Sequence, residues 1–346
     1  MLYKKMLRDI SNYKIQFISI FLMAFLGVFI FSGISGEALS LEENINDYYQ
    51  ESNLADGWIY ATDIGDGFVD KVTDISQTKD VERQLVLSST PNFTSNPEIK
   101  LDFIENNSIS KFYLVEGTPF DLNDEYGVWI DKNFADEKNL KIGDKISFKV
   151  NGIEMEKEIR GLIYSPEYVY NVPYYAIKPD PSGYGFAYMS YKAFPIDPVP
   201  FNVLNVKFDG DAQDYSNLLD EKLGDDYNSF LPRDLHSSVS AYQNMISQLK
   251  MIANALPLVF IFISMLMLLT SMKRIITHQR TQIGVLKANG FKNRQIMVHY
   301  LSYTFPVLLG SIFGLILGQI LIHKIAYPLI SQFIGNAFFS GFSYIR

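Results

Sequence analysis

The sequence predicts an α-helical membrane protein with three transmembrane helices and an α+β extracytoplasmic domain. Three observations carry this. Apolar residues gather into long runs at Ile15–Ser35, Ile252–Met272 and Tyr300–Ile322. Cations precede the first run and fill the segment between the second and third. The middle of the chain is polar, acidic, and rich in β-branched and aromatic residues that partly alternate. Overall composition, 48% hydrophobic and 20% charged, does not mark a membrane protein, so the distribution of residues decides. It divides the chain into a cytoplasmic amphipathic helix (1–14), a first span (15–36), an extracytoplasmic domain with stalk helices (37–251), a second span (252–273), a cytoplasmic link (274–299), a third span (300–323) and an extracytoplasmic tail (324–346).

In residues 1–14, Met1, Leu2, Met6, Leu7 and Ile10 fall near one side and Lys4, Lys5 and Arg8 near another. This suits a short helix lying along an anionic inner leaflet; the ordinary basic flank of a span would look the same. The first run is about 21 residues, roughly 32 Å as a helix, enough to cross a hydrocarbon core of ~30 Å. A cleaved signal peptide would carry an apolar region of only about 7–15 residues. Lys4, Lys5, Arg8 and Lys14 lie before the run and Glu37, Glu42 and Glu43 after it, so the positive-inside rule puts the N-terminus in the cytoplasm. The segment between the later runs holds Lys273, Arg274, Arg280, Lys287, Lys292 and Arg294 and no acid, which places it inside as well. The two assignments agree, and parity puts the C-terminus outside.

The second run has Pro257 near its outer end and is expected to continue as a helix past Met272, with Ile276, Ile283 and Leu286 on one side and Arg280 and Lys287 in solvent. Asn289-Gly290 reads as a helix end and Asn293 as the cap of the next helix. Phe291 is expected to be exposed at that bend, where it either docks on a partner or dips into the bilayer interface. In the third run Gly310, Gly314 and Gly318 recur at four-residue spacing, a helix-packing face for the first span or for a second copy of the chain.

In the middle domain, GWIYAT, VERQLVLSS, EIKLDFIE, KFYLVEG, GVWID, DKISFKV, EKEIRGLIY, YGFAYMS and PFNVLNVKF read as strands. Residues 66–76, 131–139 and the stretch from Asp211 read as helices, with Asp211 as a cap. Asn151-Gly152 reads as a hairpin tip. Two subdomains are conceivable at this length. Val239, Tyr242, Ile246 and Leu249 recur at helical spacing ahead of the second run, as in a stalk. Between Tyr164 and Phe194 aromatics are dense, and the segment reads more readily as an irregular core than as a partner surface.

Several function classes are excluded or unsupported. A net charge of −8 with an acidic middle argues against nucleic acid. The absence of Cys removes disulfides, thiolate metal sites and a Cys nucleophile. There is no phosphate-binding loop, zincin motif or nucleophile elbow, and the His residues at 236, 278, 299 and 323 are scattered. No catalytic residue, metal ligand or cofactor is assigned to this chain. Acidic pairs such as Asp225-Asp226 read as solvated turns.

From Arg280 to Ile296 the sequence resembles the FtsX-like permease family, which includes the MacB and LolC/LolE type of ABC transporter subunit. The family signature, approximately Arg-x-Glu-Ile-Gly, Leu-Lys-Ala-x-Gly, a basic residue and Gln-Ile, is met by Arg280, Ile283, Gly284, Leu286, Lys287, Ala288, Gly290, Arg294, Gln295 and Ile296, with Gln282 in place of the usual Glu. Residues 139–163 look like the strand-rich part of the family's outer core domain, so the resemblance implies a MacB periplasmic-core-like fold. It also implies a non-catalytic permease subunit in the bacterial cell membrane that converts ATP hydrolysis by a separate ABC ATPase subunit into movement of the outer domain, as export, extraction or mechanotransmission. Arg280, Gln282, Lys287, Gly290, Phe291, Arg294 and Gln295 would form the ATPase-coupling interface. ATP and Mg would belong to the partner. A second permease copy or half, an extracytoplasmic protein or peptide, and membrane lipids are the other implied partners. The family normally has a further span, so a first half of a longer permease is expected. A membrane-anchored extracytoplasmic sensor without an ATPase is the alternative.

Overall fold

The computed structural model describes residues 8, 10–93, 96–172 and 179–334, with side chains described as far as Ile322 and at Lys324. The expected N-terminal helix therefore lies mostly outside the described residues, as do the far end of the expected tail and Tyr174 and Tyr175. The chain forms two bodies, a helical one drawn from Met1–Glu42 and Met245–Leu329 and a sheet-containing one drawn chiefly from Glu43–Asn244. Helix α1, Lys14–Glu51, starts in the first and ends in the second.

The sheet body follows in the order β1 (Gly57–Tyr60), α2 (Asp66–Thr73), β2 (Thr78–Ser89), β3 (Glu98–Ile104), β4 (Tyr113–Gly117), β5 (Gly127–Asp131), α3 (Lys132–Lys138), β6 (Lys145–Val150), β7 (Ile153–Tyr164), β8 (Tyr184–Ser190), β9 (Val203–Phe208), α4 (Ala212–Leu223) and β10 (Ser229–Pro232). All the stretches with strand patterning form strands. The short β10 was not anticipated. The strands make one 10-stranded sheet, β10-β1-β9-β2-β3-β8-β5-β7-β4 with β6 on β7, so there is one sheet domain and not two subdomains. β3–β8 and β5–β7 are parallel and the other pairs antiparallel.

Alternation along each strand separates the two faces. Ile59, Leu85, Leu101, Phe103, Ile130, Leu204 and Val206 share a core with Val72, Phe134, Tyr215 and Leu219 of the three short helices. The opposite face carries an aromatic cluster of Phe112, Trp129, Phe186 and Tyr188 with Ile104 and Ile163. The dense aromatics after Tyr164 are thus largely core: Tyr184, Phe186, Tyr188 and Phe194 are all buried. Local signals act as read. Asn151 (φ 49°) and Gly152 (φ 86°) turn the β6–β7 hairpin in the left-handed region. Asp211 accepts the Gln213 N–H at 2.8 Å to cap α4.

The helical body continues with α5 (Ser237–His278), α6 (Arg280–Ala288), α7 (Asn293–Leu301) and α8 (Phe305–Ile334). Among the described residues three helical segments, Lys14–Glu51, Ser237–His278 and Asn293–Ile322, are long and apolar enough to cross a membrane. α5 begins well before its apolar run, so Pro257 lies inside a 42-residue helix and not near an end. Helix α8 also runs past the expected end of the third span, to Ile334.

Candidate functional site

The link between the second and third spans is built around one break and one turn. At Gln279 (φ −100°, ψ 13°) the chain leaves the α5 conformation, and α6 starts one residue later. The break is pinned by Tyr300, whose O–H donates to Gln279 Oε1 at 2.9 Å in a buried position. α6 ends in a Schellman turn. Gly290 takes φ +85°, its N–H donates to the Lys287 carbonyl at 3.0 Å, and the Phe291 N–H donates to the Leu286 carbonyl at 3.1 Å. Only glycine adopts this backbone conformation without steric penalty.

The Schellman turn draws the residue after the glycine back against the helix it closes. Phe291 is accordingly half-buried, not exposed as the sequence suggested. With Ile283 and Leu286 it packs on a cluster of Phe17, Ile20, Ile275, Ile296, Tyr300 and Tyr303. Phe17 stacks on Tyr303 at 5.7 Å, and the Arg274 guanidinium sits 5.7 Å from the centroid of the Tyr13 ring. His299 is buried against Tyr300 and Tyr303 as part of this packing. The start of α7 is capped by Gln295, whose Oε1 accepts the Lys292 N–H at 3.0 Å. Asn293, expected to be the cap, is the first residue of the helix.

The remaining expected interface residues, Arg280, Gln282, Lys287 and Arg294, are exposed, as are Gly290 and Gln295. The link therefore has an apolar side held by the first span and a cationic side turned to solvent. No acidic residue lies between Lys273 and Thr304 to neutralise it.

Gly310, Gly314 and Gly318 lie against α1. A Cβ added to them would come within 2.5, 2.6 and 2.6 Å of the Phe21, Phe25 and Phe29 carbonyl oxygens. Small residues of α1 face both other spans. A Cβ on Gly27 would lie 3.2 Å from Phe260 Cβ, and one on Gly33 would overlap Ile322. α1 is thus the common neighbour of α5 and α8 within this body.

The sheet body also holds a group of buried polar side chains that sequence patterning does not single out as a group. Glu82, Asp102, Glu167, Gln84 and Asn205 are all buried. The signal for one of them was present, since Asp102 occupies an interior strand position between Leu101 and Phe103. Among the described residues no cluster of His, Asp and Glu is arranged to hold a metal ion.

Residues 254–345, which contain the link and the glycine face, match the family model described as FtsX-like permease C-terminal. No curated protein matches the chain. Among solved structures, the extracellular domain of the ABC-type transporter YknZ from Gram-positive bacteria is similar at 14% identity, over 51% of this chain and 97% of that one, with a TM-score of 0.34. A domain of a permease protein from Porphyromonas gingivalis is similar at 13% identity, over 48% of this chain and 75% of that one, with a TM-score of 0.31.

Proposed function

We propose, from the match of residues 254–345 to the FtsX-like permease C-terminal family, that the chain is the permease subunit of an ABC transporter and is worked through its link by a separate ATPase. The observation that carries this is the two-sidedness of the link. Phe291, Leu286 and Ile283 fasten it to the first span, while Arg280, Lys287 and Arg294 remain on the solvent side. A docking surface fixed from behind and charged in front can accept a push without deforming. Its sign suits an acidic face on the partner. The positive-inside rule supports placing both this link and the N-terminus in the cytoplasm. The unbroken course of α5 from Ser237 to His278 supports the transmission of displacement along that helix to the extracytoplasmic side. ATP and Mg bind the partner, and this chain contributes no catalytic group.

The test uses the tagged full chain, cross-linked in its native membrane and purified with any nucleotide-binding subunit. The bound subunit is identified by mass spectrometry and its ATPase activity measured. The variant Arg280→Glu/Lys287→Glu/Arg294→Glu should lose the subunit and the activity while inserting normally. Recovery of the ATPase at wild-type stoichiometry would refute the docking role. Phe291→Asp is a poor probe, because it would disrupt the fold of the link as well as its surface.

A further inference from the structure

On the sheet face that carries the aromatic cluster, register brings several polar groups together. Glu82 and Trp58 each pair with Asn205, and Asp102 pairs with Tyr188, so their side chains point the same way. Glu167, in the turn after β7, covers them. Three carboxyl groups are buried here, Glu82 at 5%, Asp102 at 0% and Glu167 at 3% exposure. Among the described residues none of the three is hydrogen-bonded to a cation.

The three are not equivalent. Glu82 Oε2 accepts the Ser108 N–H (3.0 Å), the Ser108 O–H (2.9 Å) and the Ile109 N–H (2.9 Å), donors that oppose the upward push of its burial. Glu167 Oε1 accepts the Trp58 indole N–H at 3.0 Å and faces the Asn205 amide at 3.5 Å. Asp102 Oδ2 accepts the Tyr168 O–H at 3.0 Å. Asp102 Oδ1 and Asn205 Oδ1 are buried and have no donor at all among the described residues. A buried acceptor without a donor is costly, and a buried unpaired negative charge far more so. A proton on Asp102 would remove the charge from the buried carboxyl whose Oδ1 has no donor.

We propose that Asp102 and Glu167 form a proton-holding pair that keeps this polar layer closed at neutral pH and lets it loosen as the pH rises. The groups facing the pair are Tyr60 from β1, Glu82 from β2, Lys100 from β3, Tyr188 from β8, and Tyr168 after β7, with Tyr184 of β8 acting on Tyr168. Tyr48 of α1 reaches Tyr188 electrostatically, and His236, just before α5, stacks on Trp58 at 4.3 Å. Burial raises Asp102 well above the ordinary carboxylate range, and the Glu167 charge raises it further. Burial also raises Glu167, against hydrogen bonds from Ser110 and Trp58 that lower it. His236 cannot supply the missing positive charge, because burial pulls it down to about 4. For a group raised in the folded state, the stabilisation is complete below its unfolded value and is lost as pH climbs through the folded one. Beyond Glu167 the same turn reaches the first turn of α5, where Ser238 Oγ accepts the Tyr170 N–H at 2.8 Å. The device is independent of the ATPase-coupled function.

The chain has two Trp residues, so Trp129→Phe leaves Trp58, the donor to Glu167, as sole reporter. The full chain carrying Trp129→Phe is placed in lipid nanodiscs and its emission titrated from about pH 4.5 to 9.5. A free Glu titrates near 4.3. The expected result is a transition above that value. Adding Glu167→Gln should abolish the transition. Adding Glu82→Gln should move its midpoint down, because the Glu82 charge that raises Glu167 is removed. The thermal midpoint should fall with pH across the same window, and not in the Asp102→Asn/Glu167→Gln double variant. A transition that persists with Glu167→Gln overturns the pairing, as does a thermal profile unchanged in the double variant. Should neither variant fold, a flat emission profile for Trp129→Phe alone overturns it.

Discussion

Alanine at Gly314 should push α8 off α1. A Cβ there would lie 2.6 Å from the Phe25 carbonyl oxygen and 3.0 Å from the Phe29 nitrogen. Both are backbone atoms inside a helix, so neither can swing aside as a side chain would. Favourable contact with carbon begins near 3.5 Å, so the helices must separate by roughly 1 Å. That separation is shared by Gly310 and Gly318, whose close approaches are on the same face. Overpacking of this kind typically costs about 1–3 kcal/mol. The gain in helix propensity from Gly to Ala, up to about 1 kcal/mol, offsets part of it. Gly36 in α1 is the matching control, since a Cβ there meets nothing within 4 Å. Propensity then acts alone. The two alanine variants should therefore differ by about 1–3 kcal/mol, with Gly36→Ala the more stable. Unfolding of the full chain in bicelles, followed by far-UV circular dichroism against increasing SDS, measures the difference. Equal midpoints for the two variants would show that the glycine face does not touch α1.

Two further outcomes are expected. Cysteines at Gly27 and Phe260 should form a disulfide joining the first two spans, because their Cβ atoms would be 3.2 Å apart, near the roughly 3.5–4.5 Å a disulfide uses; the chain has no other Cys, so a single oxidised band that survives proteolysis of the outer domain reports it, and no cross-link would disprove the contact. In the sheet body, Asp131 caps α3 by accepting the Asn133 N–H at 3.0 Å, and burial pushes its pKa up to about 7. Its folded value exceeds the unfolded ~3.9, so its contribution is intact below about pH 4 and lost as pH rises through 7. Asp131→Asn keeps a competent cap and should flatten the pH dependence of thermal stability between about pH 5 and 8; an unchanged slope would place that dependence elsewhere.

Parts of the molecule were legible where a single physical demand dominates the local sequence. A bilayer requires a long uninterrupted apolar run, and the three helical segments that meet that demand contain the three runs. A sheet covered on both faces shows β-branched and aromatic residues throughout, so its strands stood out. Ser229–Pro232 did not, because four residues ending in Pro carry no pattern and their structure comes from pairing with β1. The burial of Phe291 is not legible for a related reason. Its flanks Gly290 and Lys292 are polar-link residues, and only the closing geometry of the Schellman turn sends its ring inward. Asn293 lost the capping position to a side-chain bond from Gln295 to the Lys292 N–H, a competition that residue preferences alone do not decide. Asp102 and Glu167 were hidden because acids outside a span are usually solvated. Whether a second sheet face is covered depends on residues more than 60 positions away, such as the Tyr168 that donates to Asp102.

The same logic separates the cations of the link into two sets. Lys273 and Arg274 lie at the end of the second apolar run, where head groups can neutralise them, and Arg274 already rests over the Tyr13 ring. Lys287, Lys292 and Arg294 surround the Gly290 turn, the part of the link remote in sequence from both spans. Like charges this close repel, and no acid of the link relieves them. A lipid-binding function would be served by any basic residues at the membrane surface and would not need a glycine-closed turn with an aromatic ring anchored behind it. A fixed turn is useful when the partner is itself fixed in shape. For the proposed docking role, the closed turn at Gly290 and the packed ring of Phe291 argue more strongly for a protein than for a lipid than does the charge of their neighbours.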